Sequence, residues 1–442
     1  MSAGYHRARN YLNRLLRTHT LEELSQKLEP TCDNPFPKVA GGCRLSRANL
    51  EQRWRLLRVA KESREALADP QTLAQMEQYR NHIENFIGSV KLPVGLAGPL
   101  RVNGLFAHGD YYVPLATTEA ALIASYNRGA QLISEAGGCT AMLLNEGVSR
   151  APGFAFGNLR DVGIFVAWVL SQVEAFRRVA EATTRYGKLL DIRVVVEGNH
   201  VYLVFEFTTG DAAGQNMVTI ATEAICAYIK NRAPIAPQYF FIEANLSGDK
   251  KASAQSFLQV RGRKVTTEVI LPASLVEKKL NATAEQMVNY WRMSAMGSVL
   301  SGTIGVQGHY ANGLAALYLA CGQDVACVAE SAVGVTRAEL TPQGDLYTCV
   351  TLPNLIVGTV GGGTSLPSQK SCLEIMGLYG PGKAAALAEV SAAVCLAGEL
   401  SIAGAFCAGD FTRAHRCLAR RKRDRQKMER LNLDEPSLNL SA

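Results

Sequence analysis

Between residues 152 and 242 the hydrophobic pattern switches between two periods, and few folds accept the order in which it does so. Residues 164–182 set Val166, Leu170, Val173 and Phe176 on one stripe at helical spacing. Residues 189–196 and 200–207 are rich in β-branched and aromatic side chains, and Glu197-Gly198-Asn199 between them is a hairpin signal. A second helix is expected over 214–230, with short strands over 153–159 and 238–242. The order is β-α-β-β-α-β, the split arrangement of ferredoxin-like domains. Sequence of a different type flanks this unit on both sides, so it reads as an insertion in a larger domain.

At 442 residues the chain is long enough for two or three domains. Residues 1–83 read as a small helical domain. Leu21, Leu24 and Leu28 follow Thr20, an N-cap candidate, and residues 47–68 form one long charged amphipathic pattern. A Pro/Gly/Asn-rich link over 30–42 separates the two. Residues 84–104, with four Gly and two Pro, suit irregular chain. Residues 113–128 begin as a strand and become a helix, with Glu119 in its first turn, where a carboxylate favours the helix dipole. Beyond 254, strands are expected over 265–271, 346–352 and 355–359, and helices over 283–305, 309–321 and 384–408. The last helix is crowded with Ala and Gly, which permits close helix contact. The expected fold is therefore α+β. It has a helical domain (1–83), a large α/β domain with a central helix (84–151 and 255–442), the inserted unit (152–242) and a lysine loop (243–254). A basic tail from about 420 ends in a polar segment.

The formal charge of +7 favours anionic ligands, including phosphate-bearing cofactors, and is too small to argue for nucleic acid. Eleven scattered cysteines without a C-x-x-C pair point to a reduced, cytoplasmic protein with no disulfide framework and no zinc site. No uncharged apolar run approaches the roughly 18–20 residues of a membrane span. The nearest, 390–398, is bounded by Glu389 and Glu399. The charged first thirty residues do not form a signal peptide.

Several places could carry chemistry. In the loop EANLSGDKKASA (243–254), Asp249 stands beside Lys250 and Lys251 among turn-forming residues. The segment 210–216, GDAAGQN, follows an expected strand and opens an expected helix, a setting in which backbone amides face an anion. It is not the G-x-G-x-x-G fingerprint. Gly361, Gly362 and Gly363 allow close backbone approach to a ligand. Thr184-Arg185 could meet a further phosphate. His309 and Asn312 are spaced to share a helix face, with Asp324 at that helix's end. His415 lies between Arg413 and Arg416. Singly, each has an ordinary explanation: a solvated loop, a tight turn, a helix-terminal arginine, a surface histidine.

Taken in order, the segments ENFIG, LPVGLAGPL, PLATTEAALIASYNRG, TGDAAGQNM, DKK (249–251), ACGQD (320–324), GTVGGGT (358–364) and AGELS (397–401) resemble the 3-hydroxy-3-methylglutaryl-CoA reductase family. The resemblance covers about 84–422, and the form resembled is the NADPH-preferring, class I-like one without a membrane anchor. It implies two successive hydride reductions of a thioester, through a hemithioacetal and an aldehyde, to mevalonate and CoA. Lys250 matches the cation on the reacting oxygen and Glu119 an acid kept protonatable by burial. Asp324 matches the aspartate coupling those two, and His415 the group that protonates the departing thiolate. Arg150, Asp249 and Lys251 match the holders of the hydroxymethylglutaryl group, with Asn312 and His309 beside them. Glu84, Asn85, Ser125, Asn127 and Arg128 match the CoA side. Asp211, Gly214, Gln215, Asn216 and Met217 match the dinucleotide loop, with Gly361–Gly363, and Thr184 and Arg185 match the site of the 2′-phosphate that selects NADPH. A homodimer or larger homo-oligomer with sites across the subunit interface is implied, with no nucleic-acid or membrane partner. Glu243 departs from a family serine, no family lysine stands in register near Arg292 and Met293, and Gln131 replaces an arginine. Arg421 stands where eukaryotic forms often carry a phosphorylatable serine. Two other readings remain open: a reductase of a different acyl-CoA, and a non-catalytic nucleotide-binding relative.

Overall fold

The computed structural model describes residues 4–30, 38–39 and 45–411. The chain divides into two compact units, Met1–Ser89 and Val90–Ala442.

In the first unit the described helices are Tyr5–Leu15, Leu21–Leu28, Arg47–Leu56, Lys61–Leu67 and Pro70–Ala74, followed by a 3₁₀ turn, Met76–Tyr79. Thr20 caps the second as expected. Its hydroxyl accepts from Glu23 N, and the Glu23 carboxylate accepts from Thr20 N. The long pattern over 47–68 is two helices, because the chain turns extended at Leu57 and restarts after Ala60. A small core gathers Leu45, Leu50, Trp54, Met76 and Phe86.

In the second unit the strands are β1 (Val94–Gly104), β2 (His108–Ala116), β3 (Cys139–Arg150), β4 (Gly153–Ala155), β5 (Lys188–Glu197), β6 (His200–Thr208), β7 (Tyr239–Phe241), β8 (Gly262–Leu271), β9 (Gly305–Val306), β10 (Gly334–Leu340) and β11 (Leu346–Leu355). One path of hydrogen-bonded neighbours runs β7-β4-β6-β3-β8-β11-β10-β9, with β5 on β6, and β1 on both β2 and β3.

The expected β-α-β-β-α-β unit is present. Its strands lie in the order β7-β4-β6-β5, all antiparallel. A separate core of Phe154, Phe165, Phe176, Phe205, Val218 and Ile225 sits under its helices. Its first helix is broken at Gln172 into Leu159–Ser171 and Val173–Glu181. The unit is not detached from the larger sheet. One edge of β6 pairs first with β4 and then, over Phe205–Phe207, with Val148–Arg150 of β3.

The larger core is organised by the helix Ala384–Cys407, which lies on β3, β8 and β11 and against the helices Leu122–Glu135 and Tyr310–Cys321. It is long and apolar enough to cross a membrane, but 78% of its most apolar window is buried inside the protein. Its carboxylates are buried on backbone donors. Glu389 accepts from Phe106 N (2.8 Å), Ala107 N (2.7 Å) and Leu143 N (3.2 Å), which pins the β1–β2 turn and β3 to the helix. Close approach requires small residues. A Cβ on Gly129 would lie 1.9 Å from the Ala397 carbonyl oxygen.

Two expectations fail here. Residues 94–104 form β1 and are not irregular; Pro99 sits where the register with β2 shifts, between Ala97 and Leu100, a position that tolerates a missing donor. Glu119 is not in a helical first turn. Ala121 adopts a left-handed conformation (φ 72°), the helix starts at Leu122, and Glu119 N donates instead to Thr117 Oγ1 (3.0 Å).

Gly129→Ala forces the two helices apart and is expected to cost about 1–3 kcal/mol. A thermal melt followed by circular dichroism should show a lower midpoint; an unchanged midpoint contradicts this packing.

Candidate active site

The lysine loop begins where β7 ends. Glu243 closes it by accepting from Asn245 N (2.7 Å), Ser247 Oγ (2.9 Å) and Arg150 Nη1 (3.2 Å). The departure at Glu243 thus braces the loop. Lys250 itself is left-handed, with φ 57°, a conformation that costs a non-glycine residue about 1–2 kcal/mol. Its N–H donates to Oε1 of the buried Glu330 at 3.1 Å, which holds it there.

Lys250 Nζ lies 2.7 Å from Asp324 Oδ2, both side chains being 42% exposed. Asp324 is pre-oriented, since its Oδ1 caps the turn Val325–Cys327 by accepting from Ala326 N (3.0 Å). The hydrogen bond to Asp324 raises the Lys250 pKa, so the ammonium is secure at neutral pH. Asp249 pairs with Arg150 (3.0 Å) and Arg261 (2.9 Å). Burial pushes its carboxyl up, but Arg261, Arg150 and Lys250 outweigh burial and hold it below the usual carboxylate range. Arg261 also donates to Glu330 Oε2 and to Gln215 Oε1 (2.7 Å). Lys251 Nζ donates to Asp249 O (2.9 Å) and is exposed.

Gln215 opens the helix Gln215–Arg232 after the loop 210–214. Gly214 caps that helix at φ 77°, with the Thr209 side chain 2.2 Å from where a Cβ would sit, so only glycine fits. The helix N-terminus faces the loop with its partial positive charge. The Asp211 carboxylate accepts from Gly382 N (2.7 Å) and Ala384 N (3.1 Å), capping the long core helix, and Asp211 O accepts from Thr359 N (2.8 Å). Val360 and Gly361–Gly363 follow directly. On the other side, Thr184 Oγ1 accepts from Gly187 N (3.2 Å) and donates to Met217 Sδ (2.9 Å). Arg185 is exposed on the same turn, and Asn216 is exposed beside Gln215. Thr184, Arg185, Asp211, Gly214–Met217 and Gly361–Gly363 therefore form one strip, which Gln215 joins to the lysine loop.

A second group forms elsewhere. His309 is the N-cap residue of Tyr310–Cys321 and not part of that helix, so it does not share a helical face with Asn312, as its spacing suggested. Its Nε2 lies 2.9 Å from Gly398 O, and its ring centroid is 5.3 Å from that of Tyr126. Glu399 fixes its backbone, accepting from His309 N (2.8 Å) and Gly308 N (2.7 Å). Burial drives the Tyr126 phenol pKa up, and Glu119 is among the negative charges that add to this, so Glu119 belongs to the same neighbourhood. Ser125 Oγ lies 2.9 Å from Ser401 Oγ, and Arg128 donates to Ser401 O (2.7 Å). Asn127 Oδ1 accepts from Gly98 N (3.0 Å), bracing β1.

These two groups are not together within one chain. His309 and Asp324 flank opposite ends of a 12-residue helix, roughly 18 Å of rise. Glu119 is exposed in the single chain, not buried as its role as an acid led us to expect. Arg292 is also exposed, donating to Asn289 Oδ1 (3.2 Å). Glu84 and Asn85 lie in the first unit, and His415 lies outside the described residues.

A model of the hydroxymethylglutaryl-coenzyme A reductase family matches residues 49–420. The chain belongs to that family. Among its relatives, a protein of Pyrococcus horikoshii named 3-hydroxy-3-methylglutaryl-coenzyme A reductase is 45% identical over 347 residues, which is 77% of this chain and 84% of the relative. One of the same name from Methanocaldococcus jannaschii is 42% identical over 77% of this chain and 85% of its own. The class II reductase of Streptococcus pneumoniae, solved with NADPH bound, shares the fold at a TM-score of 0.61 and 19% identity, covering 82% of this chain and all of that one.

Within this reductase three charged residues escaped sequence reasoning: Arg261, Glu330 and Glu399. For Glu330 and Glu399 the one local signal is a charge inside an apolar run, as in CVAESAVGV around Glu330, but that signal names no partner, and Arg261, in LQVRGRK, has none.

Because Asp249 has a depressed pKa in the folded state, its contribution is complete above the ordinary carboxylate value of about 4 and is lost as pH falls through the lower folded value. Asp249→Asn should therefore be less stable than the parent at neutral pH, with the gap closing in acid. A denaturant-midpoint series reads this, and a gap constant down to about pH 2 contradicts it.

Proposed function

We propose that this reductase converts 3-hydroxy-3-methylglutaryl-CoA to mevalonate and CoA with two NADPH, and that Lys250 and Asp324 of one subunit act with Glu119 of a second. The observation that carries this is the Lys250–Asp324 contact, an exposed ammonium on a strained backbone whose N–H is held by buried Glu330.

When bound, NADPH supplies the hydride. The chain's own residues do the rest. As the thioester carbonyl is reduced, negative charge collects on its oxygen, and the Lys250 ammonium, aimed by Asp324, stabilises it. Arg150 and Lys251 meet the free carboxylate of the substrate, and Asp249 holds the Arg150 guanidinium for that contact. Glu119 gives its proton to the oxygen. Ser125 and Arg128, with Ser401, lie on the CoA side. The strip from Thr184 and Arg185 through Asp211 to Gly361–Gly363 takes the dinucleotide, Arg185 meeting its 2′-phosphate. His415 protonates the CoA thiolate. The relatives give no support to a different acyl-CoA, and Glu243 is already engaged within its own loop.

The two groups at opposite ends of Tyr310–Cys321 call for a second copy, which brings one chain's Glu119 to the other's Lys250 and buries it. The helix Ala284–Ser301 offers an apolar face for such contact, with Met293, Val299 and Leu300 each at least 70% exposed. The eight described cysteines are all free, which fits a cytoplasmic protein.

Lys250→Ala should lower kcat about 10²–10³-fold. Mixing inactive Lys250→Ala with inactive Glu119→Gln and letting subunits exchange should restore about a quarter of parent activity, because half the dimers are hybrid and each hybrid has one intact site. An exchanged mixture that stays inactive rules out the shared site. A parent enzyme that does not oxidise NADPH with this thioester rules out the function.

A further inference from the structure

The site contains a buried charged pair for which the reaction above has no task. The Arg261 and Glu330 side chains are 3% and 1% exposed, so neither reaches substrate. Arg261 donates to two acceptors, Glu330 Oε2 and Gln215 Oε1 (2.7 Å), and its guanidinium lies in ion-pair contact with Asp249 Oδ1 at 2.9 Å. Glu330 spends its second oxygen on the N–H of Lys250. These five residues stand on four different elements. Asp249 and Lys250 belong to the lysine loop, Gln215 opens the dinucleotide helix, Arg261 leads into β8, and Glu330 lies on the short helix Val328–Ser331.

We propose that Arg261 and Glu330 are positioning residues that hold Lys250 in its left-handed conformation and tie it to Gln215 in the dinucleotide loop. This rests on the functional reading above. A buried ion pair is weak evidence for stability, since desolvation cancels much of the attraction. Three features argue for a role beyond stability. The pair terminates on the backbone of the reacting lysine and not on arbitrary chain. It restrains a residue in a region of φ that relaxes unless over-determined. It also reaches the nucleotide loop through a side-chain amide, which places the two loops at a fixed separation. A lysine at position 261 keeps the charge but cannot serve two acceptors and an ion pair from one planar fork. Glutamine at 330 can still accept from Lys250 N but cannot pair ionically with Arg261.

Arg261→Lys and Glu330→Gln should each lower kcat by about 10²-fold, the scale set by misplacing a reacting group by about 1 Å, while the KM for the acyl-CoA changes less than about threefold. In a Lys250→Ala background the same substitutions should change residual activity less than about threefold, because they act through that lysine. Gln215→Ala, which removes the link between the loops together with the longer Arg150 and Cys327 contacts of the same amide and leaves the ion pair whole, should weaken NADPH binding measured by fluorescence titration. It should also make that binding insensitive to Glu330→Gln. Single variants that keep kcat within about threefold of the parent overturn the proposal. So does a full additional loss in the Lys250→Ala background, the mark of general destabilisation. If the parent turns over no substrate, the function is wrong and the titration decides alone: equal NADPH affinity in the parent, Glu330→Gln and Gln215→Ala then overturns the link.

Discussion

Backbone contact between two helices sets the spacing on which the larger domain depends. Gly129 meets the Ala397 carbonyl, and Tyr126 packs its ring over Gly398. With no side chain in between, the central helix lies deep enough for its two carboxylates to reach backbone donors on other elements. Glu389 takes those of the β1–β2 turn and β3, and Glu399 those of the His309 turn. Each carboxylate is thus both a desolvated charge and a strap. Removing the acceptor would leave buried amides unpaired, which costs more than the hydrogen bonds contribute. An apolar helix with buried acids is therefore consistent with its place, although composition alone makes it resemble a membrane span.

The same logic governs the lysine loop. A charge-rich turn such as Asp249-Lys250-Lys251 would ordinarily be solvated and mobile. Here Arg150, Arg261 and Glu330 lie beneath it, and each anion has a cation and each strained amide an acceptor. What reaches solvent is the half-exposed Lys250–Asp324 contact, with Lys251 beside it. The rigidity is supplied from below and the charges are displayed above, a division that suits the role proposed for Lys250, a group held charged and aimed while substrates come and go.

Much of this was legible in advance, for identifiable reasons. The β-α-β-β-α-β unit could be read because each element carries a local period and Glu197-Gly198-Asn199 marks a turn. The loop over 210–214 could be read as a loop because a strand end, a glycine and a helix start are adjacent in sequence. Residues 94–104 misled because Gly and Pro usually signal loops, whereas here they mark a bulge in a strand. Glu119 was placed one turn too far into a helix because nothing in TTEAALIAS announces that Ala121 turns left-handed. His309 looked helical by spacing, yet caps its helix from outside. Arg261 and Glu330 were illegible for a different reason: their partners lie 46 and 80 residues away in sequence, and no local pattern encodes such a meeting. The separation of Glu119 from Lys250 likewise became visible only when the helix between their neighbourhoods was in place.

Asp211 carries a consequence of its own. Its carboxylate caps the core helix and its carbonyl anchors the segment after β11 that runs into the triple glycine. One wall of the strip proposed to take the dinucleotide is therefore part of the protein's skeleton, and alterations there propagate into folding. The facing wall, the exposed turn of Thr184 and Arg185, is tethered only by short local bonds and a thioether. Evolution, or an engineer, seeking to exchange one dinucleotide for another has a rigid jaw to respect and a free jaw to redesign.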